Sequence, residues 1–257
     1  MTRRHNDLTR DYFGACARDL TPASASHAAQ VLYAPFTDDP EIPRHCASVL
    51  CDVELQRAER FVAGHDQARF KQRRAFRRYC AATALGSSEP LSRFDFEETE
   101  NGRPYLPGLR DTWFSFSSGR SGMLGAWSST HAIGVDLEDR PRDLEDLELA
   151  RRFFTDAEVQ VLEGAGGPTR LQGFLQIWSL KEAALKSIGE GLPYGLDTFE
   201  FALTPRLRVV NAPTEHGGPA GFDAHMIDGT DGCAALVIRR LLEVPMSVNE
   251  APEWKRH

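Results

Sequence analysis

Asp136 and Glu138 stand two residues apart in the segment AIGVDLE, and a third acid, Glu182, interrupts the apolar stripe of WSLKEAALK. Hard oxygen donors with no His or Cys beside them suit magnesium, which takes a few protein carboxylates and completes its shell with water and substrate phosphate oxygens. Lys186, one helical turn after Glu182, offers a cation for a phosphate oxygen, and Lys181 borders the stripe on its other edge. The pattern points to a divalent-metal site serving phosphate chemistry. A plainer reading stays open: acids at alternate strand positions are commonly a solvated face, and a Glu/Lys pair at i, i+4 is ordinarily a surface ion pair worth roughly 0.3 kcal/mol.

Two elements must position these groups. Ile133, Val135 and Leu137 alternate with Gly134, Asp136 and Glu138, so a strand sends the branched residues to one face and both acids to the other. The second element is a helix, predicted to begin near Pro168 and to stop at Gly189 and Gly191. Leu171, Phe174, Leu175, Trp178 and Leu185 share one side of it, and Glu182 falls in the same stripe. A carboxylate turned inward needs a partner, a proton or a cation.

The chain of 257 residues is long enough for a substantial core, as one large domain or two small ones. A formal charge of -7 disfavours broad nucleic-acid binding. The basic residues are nonetheless uneven. Arg57, Arg60, Arg69, Lys71, Arg73, Arg74, Arg77 and Arg78 crowd a stretch in which Glu59 and Asp66 are almost the only acids. An anionic ligand could dock there, although for most of these eight a solvated helix face is the expected role. No charged leader with an apolar core and no run long enough to span a bilayer is seen, so the expected location is cytoplasmic and off the membrane. The five cysteines form no CxxC pair and read as free thiols; the eight histidines show no HExxH spacing, and GxSxG and P-loop sequences are absent.

Residues 1–28 are polar and weakly periodic and are expected to be a loosely ordered extension, as is the Pro- and charge-rich tail 247–257. Between them QVLYAPF, Phe94–Glu97, WFSFSS, MLGAW, AIGVDLE, FEFAL, RVV and AALVIRRL read as strands. Helical signals cover Asp52–Leu85, with a break near Gly64, and Asp143–Glu163, before the long helix. Arg60-Phe61 followed by Phe94-Asp95-Phe96 echoes Arg152-Phe153 followed by Phe199-Glu200-Phe201, a hint of duplication. The mixed order indicates an α+β fold, divided into halves 29–125 and 126–246.

GVDLE and WSLKEAALKSIGEGL, in this order and with RRFFTDAEV between them, resemble the motifs of the 4′-phosphopantetheinyl transferases of the longer, surfactin-type class. The likeness extends from about Gln30 to Leu241. It implies a pseudo-twofold tandem of two α+β halves, monomeric, with the active site where they meet. Magnesium would be held by Asp136, Glu138 and Glu182, and coenzyme A would be the co-substrate. Transfer of its phosphopantetheine to a serine of an acyl or peptidyl carrier protein would follow, with Asp136, Glu182 and Lys186 catalytic. By the same resemblance Arg57, Arg69, Arg103, Ser117, Ser118, Lys181 and Lys186 would contact coenzyme A. Two departures stand out: Ser118 occupies the place of a phosphate-contacting histidine, and Glu54 that of a basic residue. They keep two alternatives in play, a binding module for coenzyme A or carriers without catalysis, and a metal-dependent phosphate hydrolase. The acidic helix expected on a carrier would suit a patch around Arg151, Arg152, Phe153 and Phe154, unless the two phenylalanines are core.

Overall fold

In the computed structural model, which describes residues 5–109, 111–139 and 146–240, two antiparallel sheets share a central apolar layer and a long helix backs each on its outer side. The first half contains α1 (His5–Cys16), β1 (Arg18–Asp19), β2 (Gln30–Pro35), α2 (Glu41–Ala47), α3 (Asp52–Glu59), α4 (Gly64–Ala84), β3 (Glu97–Glu98), β4 (Pro104–Tyr105), β5 (Trp113–Ser118) and β6 (Gly122–Ser128). The second contains β7 (Ala132–Glu138), α5 (Asp146–Phe153), α6 (Asp156–Glu163), α7 (Gly167–Ile188), β8 (Glu200–Ala202), β9 (Arg208–Asn211), β10 (Phe222–Ile227) and β11 (Cys233–Arg239). Strand orders are β1-β2-β6-β5 and β10-β11-β7, with β3–β4 and β8–β9 as short hairpins.

Strand alternation builds the layers. Val31, Tyr33, Leu124 and Ala126 of the first sheet meet Ile133, Val135, Leu137, Leu236 and Ile238 of the second in the central cluster. The opposite face of the first sheet sends Ala34, Met123 and Trp127 under Ala75, Phe76 and Cys80 of α4. On the second sheet Ala235 and Val237 lie under Leu180, Ala184 and Leu185 of α7. Each buried branched side chain contributes about 1.5–3 kcal/mol, so both helices are held chiefly by these faces. The β5 and β7 edges run side by side, and the Val135 N–H donates to Ser115 Oγ at 3.0 Å.

The repeated aromatic motifs do matching work. Phe61 packs on Phe70 of the 21-residue α4, with ring centroids 5.4 Å apart, and Phe153 meets Trp178 of the 22-residue α7 edge-on at 5.8 Å. Likewise Phe96 stands edge-on to Phe114, and Phe199 to Phe222.

Several expectations are corrected. Residues 5–28 are no loose extension: α1 buries Phe13 beside Phe76 and Tyr79, and Ala25, Ala28 and Ala29 enter the central layer. Arg18 donates to the Gly229 carbonyl, and Ser24 is hydrogen-bonded to His225, tying this arm to the second half. The division at 125/126 falls inside β6; the chain passes between sheets at residues 129–131 instead. The strand expected over Phe94–Glu97 is β3 at Glu97–Glu98, because Phe94 closes a short turn after Leu91. Strand β10 escapes sequence patterning because it is an edge strand whose middle residues are all half-buried. The tail 247–257 lies outside the described residues. Among those described, no helix is long and apolar enough to cross a membrane.

Candidate active site

Strand β7 and helix α7 touch backbone to backbone at Gly134. A Cβ there would lie 1.9 Å from the Ala183 carbonyl oxygen and 2.6 Å from the Ser187 nitrogen, so only glycine permits this approach. Helix α7 begins with a proline in its first turn and ends at Gly189, whose φ of 77° closes the last turn in the left-handed region. The contact brings Lys186 against the strand. Its Nζ donates to Asp136 Oδ1 at 2.7 Å and to the Val135 carbonyl at 3.2 Å. From β5, Ser117 Oγ donates to the same Asp136 oxygen at 2.9 Å. Asp136 is buried, at 5% exposure, and its other oxygen, Oδ2, is buried with no hydrogen-bond partner.

Next to this pair lies a cavity of about 210 Å³ where the halves meet, lined by Arg103, Phe116, Glu182, Lys186 and the glycines at the end of α7. Arg103 reaches it from the β3–β4 hairpin. Its guanidinium lies 4.1 Å from the Trp113 ring centroid, and burial lowers its pKa. Asn101 of the same hairpin donates to Glu190 at 3.0 Å and ties the hairpin to the segment after α7. A second cavity of about 200 Å³ continues past Phe116 and is lined by Arg73, Arg77, Ser117 and Ser118.

The turn after β5 is fixed from the far end of β7. Asp139 accepts from the Arg120 and Ser121 N–H groups at 2.5 and 2.6 Å and from the Ser121 hydroxyl. Burial alone would raise its pKa, but these bonds outweigh it and hold the carboxyl below its ordinary range. A Cβ on Gly119 would strike the Asp139 carboxylate, at 2.1 Å, so the residue after Ser118 is committed to this turn.

Of the residues singled out by sequence, Asp136, Ser117, Ser118, Arg103, Glu182 and Lys186 are brought to the cleft. Arg69 lies on α4 one turn before Arg73, with its guanidinium over the Phe36 ring. Arg57 is not brought there: it is exposed on α3 and sits over Phe70, which Arg74 also covers. Lys181 is a correction. It lies fully buried in the middle of α7's inner face, 2.7 Å from Glu158 Oε2 and donating to the Leu196 and Phe199 carbonyls. Because α6 and the segment 196–199 cover α7 from a second side, the buried face is wider than the sequence stripe, and Glu182 stands at its half-buried edge. Glu54 serves as counter-ion to the buried Arg78 at 2.7 Å. In the presumed docking patch Phe154 is core, stacked on Phe174, and Arg151 pairs with Glu163. Arg73 and Arg77, cleft residues that the sequence named only as part of the basic stretch and not as site residues, carried one further signal: with Arg69 they recur every four residues on one face of α4.

The donor set around β7 fits a hard divalent cation. Asp136 Oδ2 is a buried carboxylate oxygen left without a donor, Glu138 lies on the same strand face, and Glu182 faces the adjoining cavity. The ligand oxygens of the three acids are not all gathered within 4.8 Å; among the described residues Cys51, Glu54 and Asp95 are. In that group both carboxylates already pair with Arg78, which disfavours a cation.

Comparison with known proteins bears on this geometry. The model of the 4′-phosphopantetheinyl transferase superfamily matches residues 132–234, the stretch that carries Asp136, Glu138, Glu182 and Lys186. The 4′-phosphopantetheinyl transferase HetI of Nostoc sp. is 35% identical over 176 residues, which cover 65% of this chain and 71% of the relative. The chain belongs to the 4′-phosphopantetheinyl transferase superfamily. A Synechocystis sp. protein named provisionally for the same activity is 37% identical over 164 residues, 63% of this chain and 65% of that protein. The transferase Sfp of Bacillus subtilis is 33% identical over 134 residues, 52% and 58% of the two chains. The chain therefore spans just under two thirds of the Synechocystis relative and less of the Bacillus one. Within this superfamily assignment, Arg69, Arg103, Ser117 and Ser118 come from outside the stretch that the superfamily model matches.

Proposed function

We propose that this protein transfers the 4′-phosphopantetheine group of coenzyme A to a serine of an acyl or peptidyl carrier protein and releases adenosine 3′,5′-bisphosphate. The reaction depends on magnesium. The reading is carried by the buried, unpartnered Asp136 Oδ2 behind Lys186, at a cleft that also presents Arg103 and Glu182.

The serine oxygen forms a bond to the β-phosphorus of coenzyme A as the bond to the bridging oxygen breaks. Magnesium, held by Asp136, Glu138 and Glu182, would polarise the phosphoryl oxygens. Lys186 is fixed by Asp136 and the Val135 carbonyl with its ammonium at the cavity wall, where it meets charge that grows on those oxygens in the transition state. Arg103, braced on Trp113, orients the anionic co-substrate. Glu182, in the same wall, takes the serine proton. Ser117 keeps the Asp136 carboxylate in one rotamer.

Incubation of apo carriers of the fatty-acid, polyketide and peptide types with coenzyme A and magnesium tests the proposal by mass spectrometry. At least one carrier is expected to gain the phosphopantetheine mass. Release of phosphopantetheine into water would identify a hydrolase, and binding without turnover a recognition module.

A further inference from the structure

Arg77 lines both cavities of the cleft, together with Phe116, so its side chain stands at the neck between the Lys186–Arg103 compartment and the Arg73–Ser118 compartment. Its guanidinium lies 5.1 Å from the Phe116 ring centroid. The acid near it, Glu98, is 3.3 Å from Arg77 Nη1 and is shared with Arg74 at 3.5 Å. One carboxylate thus serves two guanidinium groups. Burial first, and the Arg74 charge beside it, bring the Arg77 pKa down to about 10, with Glu98 and Glu54 offsetting part of the shift. Such a cation gains from a second anion more than a solvated arginine does. Arg69 and Arg73 extend the same face of α4 outward, so positive charge leads from the surface to this neck.

We infer that Arg77 contacts the phosphate groups of bound coenzyme A at the neck of the cleft. The inference rests on reading the cleft as a coenzyme A site. A purely structural role makes a different forecast. Glu98 belongs to β3, in the hairpin that carries Arg103, so an Arg77 that only anchors this hairpin acts through Glu98 and nothing else.

Titration calorimetry with coenzyme A and with adenosine 3′,5′-bisphosphate, in magnesium, separates the two. Arg77→Met keeps an unbranched stem over Phe116 and removes the charge; it is expected to weaken coenzyme A binding about 10- to 100-fold, the effect of losing a charge-assisted phosphate contact. Arg77→Lys keeps the charge without the planar fork and should fall between Arg77→Met and the wild type. Glu98→Gln removes the anchor but leaves Arg77 free for phosphate, and binding should stay within about threefold of wild type or tighten. Equal losses in Glu98→Gln and Arg77→Met, or wild-type affinity in Arg77→Met, would overturn the inference and leave the coenzyme A reading standing. Failure of the wild-type protein to bind coenzyme A would sink the parent reading and this inference together. Melting curves of each variant identify any that does not fold, and if Arg77→Met is one, the Arg77→Lys and Glu98→Gln pair still decides.

Discussion

At the scale of single residues, neighbours in sequence meet opposite fates through the rotation of one helix position. Arg78 is 1% exposed and locked between Glu54 and Asp95, while Arg77 faces the cleft. Residue type could not tell them apart in an arginine-rich segment, so the sequence named Arg77 only as one of eight basic residues there. Glu182 stood out because it interrupts an apolar stripe, where a polar group calls for a reason, Asp136 because it alternates with branched residues, and Lys186 because it lies one helical turn after Glu182. Lys181 was misjudged for the same cause in reverse: its partner Glu158 lies 23 positions away and no local spacing reveals it. Lys181→Met should therefore leave Glu158 buried and unpaired, costing about 3–5 kcal/mol in urea denaturation, while coenzyme A affinity of the folded protein is unchanged. Asp136→Asn keeps shape but removes charge. Transfer is expected to drop on the order of 100- to 1,000-fold, with a melting curve close to wild type, as read by carrier mass and circular dichroism.

At the scale of elements, the ends of α7 were readable from Pro168 and Gly189 because the physics of helix termini is local. The shared-face logic of β7 was readable for the same reason. What sequence alone could not supply was which elements cover which, and so α1 and β10 went unseen: the first presents a single deeply buried ring, Phe13, and the second has one side open. The distance between β7 and α7 is set by Gly134. Gly134→Ala places a methyl group against backbone that cannot rotate away, and it should cost about 3 kcal/mol or more in chemical denaturation. Whatever folded fraction remains should transfer slowly, because Lys186 moves with the helix.

At the scale of the whole molecule, the two aromatic echoes turned out to occupy matching positions in the two halves, although the halves are not separable pieces. The arm before β2 crosses to the second sheet and fills the central layer with Ala25, Ala28 and Ala29. Removing residues 1–28 should thus abolish cooperative unfolding, since loss of Phe13 alone costs about 3–5 kcal/mol. Circular dichroism melts of the truncated chain check this. The arm has a further consequence. It is synthesised before the sheets it joins, and its hydrogen-bond partners at His225 and Gly229 are 201 and 211 positions downstream. During synthesis the first sheet must wait with its inner face uncovered, and the molecule becomes whole late and all at once, which makes the nascent chain a natural client for chaperones.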